Sequence, residues 1–265
     1  MSIRSMTRPA RATRLGAWAV LLFLLLPIAV VLPVSLTDQR YLSMPQDGIS
    51  WQHYARLLHS APWQGSIAQS FLVALLSTAI AVVAGTLCAI GCWRLGTRWA
   101  EAVRALMLVP IVVPTIVYAL GLYRSYAQLG LLDSLIGVVL AHAVTGMPYV
   151  VIIASTALSG FDLRLEQAAR SLGASAWLST RSVLLPALLP AILSGAIFAF
   201  IHSWDELVLV LFIAGRRVFT LPRRMWDGIN ENLDPTLAAV AVLLVAVSAA
   251  LLLVDLWLKR GAEEG

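Results

Sequence analysis

One lysine, Lys259, stands among 265 residues, and Arg260 follows it. A nucleotide-binding P-loop needs Gly-Lys-Ser or Gly-Lys-Thr to hold phosphates. No Walker A site can therefore form on this chain, and any ATP-driven work must draw on another polypeptide. Charge as a whole is scarce: 12% of residues are charged and 60% hydrophobic, with a mean hydropathy of +0.84. A soluble domain carries about 45–50% apolar and roughly 25% charged residues, so a soluble globular domain is excluded. The two cysteines, Cys88 and Cys92, lie one helical turn apart in an apolar run. Isolated thiols there pack as small apolar groups, and neither a disulfide nor a metal site is expected.

The four histidines, His53, His59, His142 and His202, have no H-x3-H or H-E-x2-H spacing, so no metal ligand set is assigned. His142, in AHAVTG, reads as a hydrogen-bonding residue of helix packing. Neither a Gly-x-Ser-x-Gly elbow nor a Cys-x-x-Cys pair occurs. No catalytic residue and no bound cofactor are assigned to the chain.

What remains is an all-α integral membrane protein. Crossing ~30 Å of hydrocarbon takes about 20 apolar residues, and predominantly apolar stretches of that length predict six spans, at 15–36, 66–92, 104–123, 134–158, 190–213 and 237–258. The first apolar run follows Arg4, Arg8, Arg11 and Arg14. It exceeds the 7–15 residues of a signal-peptide core, and no small-x-small cleavage site follows Leu36, so it reads as an uncleaved span. The domain plan is a tail over 1–14, a six-span domain over 15–258 containing a polar loop over 160–189, and a tail over 259–265.

Basic residues stay cytoplasmic in short loops. With both termini inside, the cytoplasmic segments hold twelve Lys and Arg, and the outer segments seven. Arg216, Arg217, Arg223 and Arg224 crowd the last outer loop against this trend. Two accounts stay open: a solvated loop balanced by Asp227, Glu231 and Asp234, or an electrostatic patch for an external partner. The net charge of +5 is split across two membrane faces, so anionic lipid headgroups explain it better than nucleic acid. Prolines punctuate the spans at Pro27, Pro33, Pro110, Pro114, Pro148 and Pro190; VPIVVPT sets Pro110 and Pro114 on one face, which predicts a kink.

The polar stretch EQAARSLGASAWLSTRSVLLP, residues 166–186, separates two long apolar segments. It predicts a short helix carrying Ala168 and Ala169, a break at Gly173, a second helix through Trp177 and a stop at Pro186. Glycine can take the left-handed conformation that ends one helix and starts another, and the small alanines allow close approach. This resembles the EAA loop of ABC importer permeases: EAA, three residues, Gly, nine residues, I-x-L-P. Gln167-Ala168-Ala169 holds the EAA position, Gly173 and Ala174 follow, and Leu185-Pro186 closes at the family spacing. Gln167 stands where the motif has Glu; the carboxylate is at Glu166, about 100° around a helix. The resemblance implies a permease subunit of the type I ABC importer (MetI-like) fold, whose coupling helices over this loop dock into a separate ATPase.

In AFIHSWDELVLVLF the carboxylates of Asp205 and Glu206 fall inside the predicted fifth span, about 22 Å along it from Pro190 at 1.5 Å per residue. An acidic side chain there costs about 2.5–3.5 kcal/mol on insertion scales. His202 precedes them by three and four residues, so on a helix it neighbours both. The pair reads either as a structural His-carboxylate cluster or as a cation-attracting station on a substrate path with His202 and Trp204. The segments SWDELVLVLFIAG, LPRRMWDGI and GFDLRLEQAARSLGAS resemble the second permease subunit of putrescine/spermidine ABC importers, which carries Ser-x-Asp-Asp/Glu at this place.

That resemblance implies import of a small cationic amine by alternating access across a bacterial inner membrane. Its partners would be a homologous second permease, two copies of a cytoplasmic ATPase holding ATP and Mg, a periplasmic substrate-binding protein docking at the outer arginines, and membrane lipid. The alternatives are an ABC permease for another solute (an aminovalerate- or GABA-like amine, an opine or an amino acid derivative) or an energy-independent carrier. A carrier usually shows an internal repeat of spans, which the chain lacks, and has no use for a docking loop. An integral-membrane enzyme would need convergent His, Asp or Glu residues.

Overall fold

The computed structural model describes the backbone of residues 11–263 and the side chains of residues 13–260. Arg4, Arg8 and the side chain of Arg11, which flank the predicted first span, lie outside the described residues. All described regular structure is helical. Five helices are long and apolar enough to cross a bilayer, and a bent pair makes a sixth crossing if it is taken as one span.

The chain forms two compact units. One comprises the residues through Ser60 together with Gly228–Leu243, and the other Ala61–Asp227 with the residues from Leu244 onward. In the first, helix α1 (Arg11–Ser35) carries an apolar surface, with Phe23 76% exposed, as lipid contact requires. Pro27 and Pro33 lie inside it. The segment after it is held by Ser35 Oγ against the Tyr54 hydroxyl at 2.7 Å and by Gln52 Nε2 donating to the Asp38 carbonyl at 2.9 Å. The amphipathic helix α2 (Gln52–His59) buries His53 and Leu57, and Arg56 Nη1 donates to Asp234 Oδ2 at 2.6 Å.

The second unit is built on α3 (Ala61–Leu95), α6 (Leu135–Ser159) and α9 (Leu185–Trp204), which pack on one another. Their crossing depends on missing side chains. A Cβ on Gly85 would come within 2.9 Å of Val150 Cβ, and one on Gly195 within 3.1 Å of Val150 Cα, so small residues let the helices approach closely. A buried polar contact ties all three: Ser77 Oγ donates to Ser203 Oγ at 3.0 Å, and Ser203 Oγ lies 2.8 Å from His142 Nδ1. His142 thus takes the helix-packing role expected of it.

Between α3 and α6 the predicted single span 104–123 is two helices, α4 (Arg98–Val112) and α5 (Thr115–Leu129), bent by 106°. Thr97 caps α4 by accepting from the Ala100 N–H at 3.2 Å. Val113, which precedes proline, is extended at φ −77° and ψ 127°, and Pro114 sits at the N-cap of α5. The residue before proline avoids helical angles, so the expected kink is a full break.

The predicted stop at Pro186 does not occur. After α7 (Leu163–Ser171), a helical turn α8 (Ala176–Ser179) runs through a π-turn at Thr180–Leu184 straight into α9. The Leu185 N–H bonds the Thr180 carbonyl five residues back. Such widening makes room for a proline ring that lacks an N–H and would clash with the carbonyl four residues earlier. The predicted span 190–213 is also corrected: α9 ends at Trp204, residues 205–207 break it, and a short helix α10 (Val208–Ile213) follows. The remaining elements are α11 (Leu221–Glu231) and α12 (Thr236–Glu263). The latter continues past the tail boundary expected at residue 259.

Candidate functional site

The break after α9 is made by the acidic pair itself. Asp205 is the C-cap of α9, its N–H still bonded to the Ile201 carbonyl. Glu206 turns its carboxylate forward, and Oε1 accepts the Leu209 N–H at 3.1 Å. A carboxylate that satisfies a free N–H starts a new helix, and α10 begins two residues on, at Val208. Asp205 is exposed and Glu206 only 9% exposed. Ser248 of α12 donates to Asp205 Oδ2 at 3.3 Å.

A cavity of about 370 Å³ opens at this break, lined by Tyr149, Phe198, Ile201, His202, Asp205 and Glu206. Tyr149 belongs to α6, and its ring lies 5.2 Å from that of His202. Three of the four residues predicted for a substrate path therefore meet in one cavity. Trp204 does not: it is buried and stacked on Phe200 at 6.1 Å. Sequence reasoning missed Tyr149, Phe198 and Ser248. Phe198 precedes His202 by one helical turn, a signal the sequence carried; Tyr149 and Ser248 come from other helices. Two carboxylates beside aromatic faces can bind an alkylammonium through charge and cation–π attraction.

The polar loop forms a second candidate site. Asp162 caps α7 by accepting from the Arg164 N–H at 2.9 Å. The helix ends with the Ala174 N–H bonded to the Ala169 carbonyl at 3.1 Å and the Gly173 N–H to the Arg170 carbonyl at 3.0 Å. This pair of bonds requires a left-handed residue between them, and Gly173 has φ +91°. Ser175 then caps α8 through the Leu178 N–H. Gln167, Ala168, Gly173 and Pro186 are exposed, while Ala169, Ala174 and Leu185 are partly covered.

Glu166, the acid displaced from the motif position, is only 7% exposed. Its Oε1 accepts from Arg94 Nη2 at 2.9 Å, and the same nitrogen donates to Thr180 Oγ1 at 2.7 Å. The end of α3, the helix α7 and the π-turn are joined at one guanidinium. Beside it a cavity of about 380 Å³ is lined by Trp93, Arg94, Leu163, Glu166, Gln167 and Arg170.

The four arginines expected to act together divide into two pairs. Arg223 is bound to Asp227 at 3.2 Å. Arg224 donates to Ser66 Oγ of α3 at 2.6 Å and lies over the Phe219 ring at 4.6 Å, so Arg224 ties α11 to α3 while the Arg223 pair stays within α11. Asp234, expected to balance this group, pairs with Arg56 instead. Arg216 and Arg217 are exposed, and their backbone is clamped. Asp133 Oδ1 accepts from the N–H groups of Gly215, Arg216 and Arg217, each at 2.9 Å. Burial works to raise the Asp133 carboxyl, but these backbone donors outweigh it and hold the group below its ordinary value.

Residues 81–261 match the family described as binding-protein-dependent transport system inner membrane component. Over 243 residues the chain is 29% identical to the spermidine/putrescine transport system permease protein PotC of Haemophilus influenzae, covering 92% of this chain and 94% of that protein. Over a shorter stretch of 193 residues it is 35% identical to a protein of Haloferax volcanii named "probable molybdenum ABC transporter permease protein", covering 69% of this chain and 71% of that protein. The fold is similar to that of a bacterial ABC transporter involved in import of the polysaccharide alginate, with TM-score 0.68 at 16% identity over 97% of this chain and 99% of that one.

Proposed function

This chain belongs to the family of binding-protein-dependent transport system inner membrane components, and on that premise we propose that it carries a small di- or polycationic amine of the putrescine/spermidine type. The cavity at the α9 break carries the proposal. Asp205 and Glu206 supply negative charge, Tyr149 and Phe198 supply aromatic faces, and the cavity of about 370 Å³ suits an extended alkyl chain with ammonium ends. Relatives in the family are named for different cargoes, so membership alone leaves the substrate open. An oxyanion would meet two carboxylates here and be repelled. An amine passing through a low-dielectric route regains from these groups part of the hydration it loses.

In the proposed assembly the six-span domain over 15–258 pairs with a homologous second permease. The loop over 160–189 docks on one of two copies of a cytoplasmic ATPase that hold ATP and Mg, and both termini face the cytoplasm. Arg216 and Arg217 meet the periplasmic binding protein. Closure of the ATPases would move the coupling helices and drive alternating access.

The test is uptake by the purified complex in vesicles, with its binding protein, using labelled putrescine, spermidine and sulfate or phosphate. Amine uptake that depends on ATP supports the reading. Uptake of the anions alone overturns it.

A further inference from the structure

Building on the amine reading above, we infer that Asp255 is a second ammonium station on the same route, and that Lys259 occupies it in the resting chain as a tethered substitute for the cargo.

Asp255 lies within α12 and is only 3% exposed. Lys259 Nζ donates to its Oδ2 at 2.7 Å. Ser194 of α9 is the other side-chain hydrogen-bonding neighbour of this carboxylate, whose Oδ1 is left without a bond of full geometry among the described residues. The Lys259 ammonium lies 5.9 Å from the centroid of the Phe198 ring. A primary alkylammonium therefore already rests between a carboxylate and an aromatic face, the same chemistry that the outer cavity offers with Asp205, Glu206, Tyr149 and Phe198.

Phe198 belongs to both places: it lines the cavity and borders the lysine head. The register agrees. Ser248, which binds Asp205, precedes Asp255 by two turns on α12, about 10 Å along the axis at 1.5 Å per residue. On α9, Ser194, Phe198, Ile201 and Asp205 follow one another at three- and four-residue steps, which places them on one face. Lys259 is half exposed, with 52% of its side chain accessible, so its head can swing to water as an arriving ammonium takes its place. Such an exchange never leaves the buried carboxylate without a cation, the state that is most costly.

The alternative is a fixed ion pair that only neutralises Asp255, and the double change separates the two. The complete importer is reconstituted with Asp255→Asn, Lys259→Met, both together, and Asp205→Asn with Glu206→Gln, and uptake of labelled putrescine is measured. The double variant Asp255→Asn, Lys259→Met is expected to assemble but to take up amine at least tenfold more slowly, with KM within about twofold. Lys259→Met alone, which leaves the carboxylate to the cargo, is expected to keep at least a third of the wild-type rate. Wild-type uptake in the double variant, its failure to assemble, or a loss in Lys259→Met equal to that in Asp255→Asn assigns the pair to structure and overturns the station. If the outer-cavity variant loses uptake while the double variant keeps it, only the station falls. If the wild type takes up no amine, the substrate reading falls instead.

Discussion

Arg94 and Glu166, 72 positions apart in sequence, meet at 2.9 Å and fasten the end of α3 to the helix that opens the 160–189 loop. Arg94 also reaches Thr180, so the loop's two arms are anchored to one long membrane helix. A coupling element that must transmit motion needs such an attachment; a loop hinged freely at both ends would absorb the push.

If the two residues act as a unit, Arg94→Ala and Glu166→Gln each lower the thermal midpoint of the purified complex and weaken substrate-stimulated ATP hydrolysis. The combined variant falls no further than the worse single one. Removing one partner of a half-buried pair costs about 1–3 kcal/mol. Strictly additive losses would show that the contact carries no coupling.

Gly173→Val tests the left-handed turn. Open space surrounds the position, so the cost is conformational: a β-branched residue at φ +91° is strained by about 1–3 kcal/mol. The variant is expected to insert and assemble while losing ATPase stimulation. Normal stimulation with normal uptake would show that the turn is dispensable.

The acidic pair can be neutralised without losing its backbone role. Glu206→Gln keeps an oxygen to accept the Leu209 N–H, and Asp205→Asn keeps one for Ser248. Amine uptake in the double variant should fall at least tenfold, which corresponds to roughly 1.4 kcal/mol, with assembly retained. Unchanged uptake would reduce the pair to a helix cap.

Topology is testable by labelling with a membrane-impermeant thiol reagent in a background with Cys88 and Cys92 replaced. A cysteine at Ser175 should react only from the cytoplasmic side. In the last outer loop Thr220 is only 3% exposed, so Arg216→Cys is the reporter there and should react only from outside. Reversed labelling would invert the proposed orientation.

Asp133 predicts a pH window. Its folded-state carboxyl is held below the ordinary value, so the stability it supplies is present above the unfolded pKa of about 3.9. That stability is lost as pH falls through the folded value. Proteolytic nicking of the 214–220 loop should rise only below about pH 4. Asp133→Ala should expose the loop at neutral pH, at a cost of about 1–3 kcal/mol. Asp133→Asn should do so less, because Asn keeps an acceptor and tolerates the observed φ of +52°. Equal behaviour of the two variants would show that the clamp does not depend on the acceptor.

Composition and hydrophobic runs by themselves determined the class of this protein, because the bilayer demands long apolar helices whatever their neighbours are. Gly173 was legible for the same kind of reason: its spacing fixes a local backbone turn that no other residue makes cheaply. The proline pair before α5 announced a bend, since the pre-proline restriction is also local. Tertiary structure alone decided the rest. Apolar runs on both sides of Asp205 and Glu206 read as one span, because periodicity cannot register a carboxylate that turns forward to cap a new helix. Tyr149 reaches the cavity, and Ser248 its Asp205, from helices more than 40 positions away in sequence, and Arg94 finds Glu166 across 72. The four outer arginines look alike in sequence. Packing made Arg224 an anchor to α3, paired Arg223 within its own helix and left Arg216 and Arg217 exposed, because what separates them is the neighbour that each side chain meets after folding.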